Sequence, residues 1–250
     1  MEKKVNYYTQ KINIHAHTSV PWQQMVVMSF LKKIGRNQNA RCLDVGTGIG
    51  NNLETIAAFV SEIEAFDISP EVVENVKNSS ENKKIPLKII CANAENMPYP
   101  GEMFDIVICT EVLEHCLRPE SVIRECSRVL KPGGCAIFSI PNYFNPAGLI
   151  KKIYDSSHEG KTWDAWGNHE CGIENFTTSF WLNGLLNIHG FSVVERRGGD
   201  LIRSWLPFLR RFYTFIDRYP FLGITKKWPL NMCAMNYFCC AKKRDSSSPR

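Results

Sequence analysis

From Arg41 to Asn52 the chain reads RCLDVGTGIGNN, and few folds accommodate such a stretch. A short apolar strand (Cys42, Leu43, Val45) runs into three glycines spaced by two, Gly46, Gly48 and Gly50, and then into a segment with helical character from about Asn51 to Phe59. Glycines at that spacing let the backbone approach a ligand that any Cβ would hold off, and they tolerate φ > 0. The helix beyond offers free N–H groups to whatever lies over the turn. Asp67 stands 21 residues after Gly46, at the end of the next apolar run, where a carboxylate can accept both hydroxyls of a ribose.

Such a turn suits dinucleotides and S-adenosylmethionine alike, and two details separate them. A dinucleotide turn has the spacing G-x-G-x-x-G, whereas this one is G-x-G-x-G. Asp44 also sits two residues before the first glycine, where it repels a diphosphate but suits the ammonium of a methionine moiety. The residues therefore favour a cationic nucleoside without phosphate.

The chain around this turn alternates regularly. Strands are expected at 62–67, 87–91, 104–110 and 134–140, and helices at 70–81 and 119–130, with Lys131-Pro132-Gly133-Gly134 breaking the last helix and turning the chain. This is the rhythm of an α/β fold, a parallel sheet with helices on both faces. Ahead of it a helix is expected over Pro21–Ile34, and residues 1–40 as a whole, with Tyr8 and Trp22, form either a packed edge or a flap over the substrate. Further on, a helix is expected from Thr178 to His189, capped by threonine and ended by Gly190.

At 250 residues the chain suits one large α/β domain, taken as 1–245 with a disordered tail at 246–250. MEKKVNYYTQK lacks the apolar segment of a signal peptide, and no run approaches the ~18 apolar residues of a membrane span, so a cytoplasmic protein is expected. Cys42, Cys91, Cys109 and Cys135 fall in strands as small buried hydrophobes, no C-x-x-C pair occurs, and Cys239 and Cys240 point to opposite faces of a strand. A reduced protein without thiolate zinc follows.

Four tracts in register, LDVGTGIG, AFDISPEVV, ANAENMPYPGEMFDIVICTEVLEH and RVLKPGGCAIFSIPN, resemble the successive motifs of class I S-adenosylmethionine-dependent methyltransferases, most similar to the quinone-biosynthesis O-methyltransferase group. The resemblance covers about residues 40 to 142. It implies a Rossmann-like, mostly parallel sheet of seven strands whose last strand runs antiparallel, here with Phe191–Arg196 and Asn236–Lys242 as the final pair. It further implies that Gly46, Thr47 and Gly48 line the methionine end with Asp44 near, that Asp67 holds the ribose, and that Ile68 packs on the adenine. Asn93, Ala94 and Glu95 stand where the family commonly has an acid followed by alanine, and the asparagine carbonyl can still accept from the adenine amino group. S-adenosylhomocysteine would be the product.

Glu111-Val-Leu-Glu114-His115 is the tract with the most chemical capacity. On a helical turn Glu111, Glu114 and His115 share one face and, with His169 or His158, could hold a divalent ion. The alternative, and the favoured one, is that no metal binds, Glu111 contacts cofactor or substrate, and His115 is a packed imidazole. His169, His158, Glu159 and His115 are the candidate bases for a hydroxyl acceptor, with Glu111 beside them. The segment 141–176 carries Asn142, Tyr143, Trp163 and Trp166 and is read as the substrate insertion, and 199–230 as a second insertion or lid. Residues 201–230 hold six basic side chains against Asp217 alone and are rich in aromatics. They read as a lid, as a surface that reaches a lipid-linked substrate at the membrane, or as a dimer contact. Nucleic acid is disfavoured. The function expected is methyl transfer to an oxygen of a small or lipid-linked molecule, with N-methylation of an amine or a catalytically silent partner protein as alternatives.

Overall fold

The computed structural model describes residues 21–157, 175–199 and 226–245. Tyr8, His158, Glu159, Trp163, Trp166, His169, the side chain of Trp22 and the 200–225 part of the basic aromatic segment lie outside them.

Helix α1 (Pro21–Ile34) precedes β1 (Arg41–Val45), α2 (Leu53–Ala57), β2 (Glu62–Asp67), α3 (Pro70–Asn82), β3 (Leu87–Cys91) and β4 (Phe104–Thr110). A 3-10 turn (Leu113–His115) leads to α4 (Pro119–Val129), β5 (Leu130–Pro141), α5 (Pro146–Ser157), α6 (Ser179–Ile188), β6 (Phe191–Gly199), α7 (Leu230–Cys233) and β7 (Asn236–Lys243). The seven strands form one sheet in the order β3-β2-β1-β4-β5-β7-β6. Only β7 runs against its neighbours, antiparallel to both β5 and β6. The chain lays β2 and β3 on one side of β1 and then crosses to place β4 on the other, so the order reverses between β1 and β4. In such sheets a crevice opens at the carboxyl ends of the strands at that reversal.

Both faces of the sheet are covered, which is why its central strands are almost continuously apolar. Cys42, Ile63, Ala65, Ile106, Ile108 and Ile137 pack on one side with Val27, Phe30 and Leu31 of α1, Leu53 and Ile56 of α2, and Val72 and Val76 of α3. Leu43, Val45, Val107, Cys109, Ala136 and Phe138 pack on the other with Val122, Ile123 and Cys126 of α4 and Leu182 and Leu186 of α6. Cys239 and Cys240 do point into opposite layers.

Local capping is as the residue types dictate. The Ser69 hydroxyl accepts from Val72 N at the start of α3, the Thr178 hydroxyl from Trp181 N at the start of α6, and Gly190 takes φ +84° just past its end.

Four expectations need correction. Strand β5 begins at Leu130 rather than 134, because Leu130 already pairs with Phe104 and the Lys131–Gly134 stretch is absorbed as an irregularity before Cys135 pairs with Ile106. Helix α2 is Leu53–Ala57 instead of 51–59, since Gly50 at φ +78° keeps the preceding residues in turns. Cys91 is exposed, because β3 is the sheet edge. The 141–176 segment contains helix α5, which Asn145 starts: its Oδ1 accepts from Gly148 N at 2.9 Å and its carbonyl from Leu149 N at 3.0 Å, with Pro146 at the first helical position. Asn-Pro ahead of an apolar run was the available signal.

Candidate active site

A cavity of about 210 Å³ opens over the glycine turn, at the carboxyl ends of β1, β4 and β5 and under the first turn of α1. Its wall holds Gly46, Thr47, Gly48, Asn52, Thr110, Glu111 and Ser139, joined from above by Gln23 and Gln24. Among the described residues that line it none is Lys, Arg or His.

The turn has the backbone that its glycines license, with φ +62° at Gly46, +53° at Gly48 and +78° at Gly50. A Cβ on Gly48 would meet nothing within 4 Å and would project into open space, so this glycine keeps room for a ligand. A Cβ on Gly46 would stand 2.8 Å from Val112 Cγ2, so this one keeps room for the neighbouring turn.

Asp67 lies at the end of β2, 9% exposed, and receives Gly48 N on Oδ2 at 3.0 Å and Ser69 N on Oδ1 at 3.0 Å. Each carboxylate oxygen has a second lone pair for a further donor such as a ribose hydroxyl. Burial raises its pKa against those two hydrogen bonds. Asp44 does not line the cavity. It lies behind it, buried, where Oδ2 accepts the Thr47 hydroxyl at 2.7 Å. Burial drives its pKa up from 3.8 to about 7, against hydrogen bonds from Thr47 and Asn52 and with the nearby Asp67 charge adding to the rise. Asn52 also donates to the Thr110 hydroxyl at 3.1 Å, tying the turn to β4.

Glu111 follows β4 with φ +56°, a left-handed conformation that costs a non-glycine residue on the order of 1–2 kcal/mol. This overturns the shared helical face of Glu111, Glu114 and His115. The chain kinks at 111, the helical turn begins only at Leu113, and Glu111 sits on the cavity wall while Glu114 is buried. His115 Nε2 lies 3.8 Å from Glu114 Oε1 and does not line the cavity. Among the described residues no group of three His, Cys, Asp or Glu is placed to hold a metal ion.

Other sequence-derived candidates fall elsewhere. Asn142, expected at the substrate, is 2% exposed and acts as an internal bracket. Its Nδ2 donates to the carbonyls of Met232 (2.8 Å) and Ala234 (2.7 Å), and its Oδ1 accepts from Ser179 N (2.9 Å). Glu95, expected near the adenine, instead accepts from Arg118 N at 3.0 Å and Arg118 Nε at 3.1 Å. Burial opposes its ionisation, yet those bonds hold its carboxyl below the usual range. It pins the loop ahead of α4. Asn93 Oδ1 accepts from Glu95 N at 2.9 Å, closing a turn and leaving one lone pair for an amino group. Ala94 is buried in the core, and Ile68 is half-buried just past β2. Tyr143 is buried and stacks on Phe176, ring centroids 5.0 Å apart. Asp105, ahead of the central part of β4, has a structural part: it receives Arg41 N at 2.9 Å and Lys131 Nζ at 2.8 Å.

Gln23, Gln24, Asn52, Thr110 and Ser139 were not singled out in the sequence. The polar pair in an otherwise apolar helical stretch was a signal for the glutamines. For Thr110 and Ser139 there was none, because β-sheet pairing alone brings them together.

Strand order and glycine turn together define a Rossmann-like α/β fold, and known proteins resemble it as follows. Residues 43–138 match the family model described as a methyltransferase domain. Among curated proteins the chain is similar to ubiquinone biosynthesis O-methyltransferases: 30% identical over 158 residues to that of Roseobacter denitrificans, covering 63% of this chain and 62% of the relative. It is 33% identical over 100 residues to that of Coxiella burnetii (strain Dugway 5J108-111), covering 40% and 43%. Proteus mirabilis has a third, 36% identical over 104 residues, covering 41% and 42%. The match thus spans less than two thirds of the length of each relative.

Solved structures share the fold. A SAM-dependent methyltransferase from Methanosarcina mazei superposes with TM-score 0.60 at 17% identity, over 86% of this chain and 97% of the other. The [4+2]-cyclase SpnF superposes with TM-score 0.61 at 19% identity, over 87% and 80%. One architecture thus carries different reactions, and the site must decide between them.

Proposed function

We propose that this chain transfers the methyl group of S-adenosylmethionine to an oxygen of a small or lipid-linked acceptor. The observation that carries the reading is the character of the crevice: a left-handed glycine turn, the Glu111 carboxyl on its wall, Asp44 and Asp67 bonded to the turn, and no basic side chain among the described lining residues. Such a site suits a cation and disfavours a diphosphate. The names of the curated relatives support oxygen as the acceptor atom.

The residues present fit the cofactor. Gly46, Thr47 and Gly48 would cradle its methionine end, Asp67 would accept its ribose hydroxyls, and Asn93 its base. When bound, it supplies an electrophilic methyl on a cationic sulfur. The chain's part is to hold the acceptor in line with that methyl and to exclude water, which accounts for most of the rate in such a transfer. Glu111 would hold negative charge at the cationic end, and a bound cation would favour ionisation of Asp44 behind it. As the acceptor oxygen bonds to carbon its proton leaves, and His169 or His158 is assigned here to take it. The basic aromatic segment 199–230 is proposed to bring the site to lipid-linked acceptors.

The test is calorimetric titration of the purified chain with S-adenosylmethionine, followed by a screen of phenolic and amine acceptors read by mass. A gain of one methyl on a phenol supports the proposal. No cofactor binding, or methylation of amines alone, overturns it. Anionic liposomes at low salt test the membrane part, and no sedimentation of the protein with them would remove it.

A further inference from the structure

Among the described residues of the cavity wall, 111 is the one non-glycine position in the left-handed conformation. A glycine would adopt that backbone without strain, yet the chain carries a glutamate. Strain of this kind persists only where the surroundings over-determine it.

Among the described residues, Ser139 supplies much of that setting. Glu111 N donates to the carbonyl of Ser139 at 3.2 Å and to its hydroxyl at 3.1 Å. The Ser139 hydroxyl donates back to Glu111 Oε1 at 2.7 Å. One buried hydroxyl therefore grips both the backbone and the side chain of the strained residue. Ser139 is 0% exposed, so no water replaces that grip at low cost. Its place is set by the sheet, since Ser139 of β5 pairs with Thr110, the last residue of β4. Val112, the residue after the kink, lies against Gly46, so the kink at 111 and the glycine turn are packed on one another.

Resting on the methyltransferase reading above, we propose that Ser139 is a positioning residue: it holds the Glu111 carboxylate at the cavity wall beside the glycine turn, where the carboxylate favours the cationic cofactor over its neutral product. The chemistry that makes the difference is one charge. S-adenosylmethionine carries a positive sulfur and S-adenosylhomocysteine does not, so a carboxylate fixed at this wall distinguishes the two, whereas one free to swing into solvent is screened and does not. Such a difference also favours release of product after transfer.

The experiment measures dissociation constants for both compounds, by calorimetry on the full chain without acceptor, for the parent, Ser139→Ala, Glu111→Gln, Glu111→Gly and the double variant Ser139→Ala/Glu111→Gly. Ser139→Ala is expected to weaken S-adenosylmethionine about tenfold and S-adenosylhomocysteine less than about threefold. Glu111→Gln should lose the same preference, and Ser139→Ala should add nothing further in the Glu111→Gly background. A serine that merely supports the fold would weaken both compounds alike and would act equally in both backgrounds, and either result overturns the proposal. If Ser139→Ala does not fold, an undiminished preference in Glu111→Gln overturns it by itself. A parent that binds neither compound overturns the methyltransferase reading and this inference with it. A parent that binds both while Ser139→Ala matches it overturns the inference alone.

Discussion

Asp44→Asn is the substitution whose consequence is best determined by the structure. Asp44 is buried beneath Thr47, and its pKa of about 7 against an ordinary 3.8 means that the folded protein binds this proton more tightly than the unfolded chain does. Between those values the folded state holds more protons than the unfolded state, so stability falls as pH rises through the window. At about 1.4 kcal/mol per tenfold change in proton affinity, the full effect is about 4 kcal/mol, complete above the folded pKa. Asparagine is nearly isosteric, can still accept from the Thr47 hydroxyl, and cannot ionise. The apo Asp44→Asn protein should therefore gain on its parent as pH rises, the gap opening by about 4 kcal/mol between pH 4 and pH 8. Urea unfolding of the two proteins across that range is the assay. Taking the difference removes the opposite slopes of carboxylates such as Glu125, held low by the Arg128 hydrogen bonds, and Glu195, whose Lys33 and Arg197 partners outweigh its burial. A gap that stays constant with pH would refute the argument. The same variant should bind the cationic cofactor less well, since it lacks the carboxylate that a nearby cation would keep ionised.

Three further outcomes are expected. Asp67→Ala removes an acceptor of charge-assisted hydrogen bonds and should weaken S-adenosylmethionine roughly tenfold to a hundredfold in calorimetric titration; unchanged affinity would remove Asp67 from the ribose. Gly46→Ala combines a left-handed backbone with a Cβ 2.8 Å from Val112 Cγ2 and should lower stability by about 2 kcal/mol or more in denaturant unfolding. Asn142→Ala leaves the buried Ala234 carbonyl and the Ser179 amide without their partner, the Met232 carbonyl keeping only the Ser179 hydroxyl, and should lose at least about 2 kcal/mol of stability, while the affinity of the folded fraction for the cofactor stays at the parent's value, because the residue joins β5, α6 and α7 rather than facing the crevice.

Residues close in sequence determined most of what could be read in advance. The strand–glycine–helix turn, the acid 21 positions on, the caps at Ser69 and Thr178 and the Gly190 stop all act over a few residues. Short-range sterics and hydrogen bonding dictate them wherever the segment sits, and their order along the chain sufficed for the sheet class, while the antiparallel last strand was implied only by the resemblance to a known family. Only the tertiary structure decided the rest. Strand pairing set Ser139 beside Glu111, drew Leu130 into β5 through Phe104, and made Cys91 an edge residue. Packing turned Asn142 and Glu95 inward to brackets and loops, since a buried polar group must bond to whatever the fold brings near it. Glu111 shows the division most clearly. Helical spacing predicted a shared face with Glu114 and His115, but the grip of a serine 28 residues away twists the backbone left-handed and sends that carboxylate to the crevice instead.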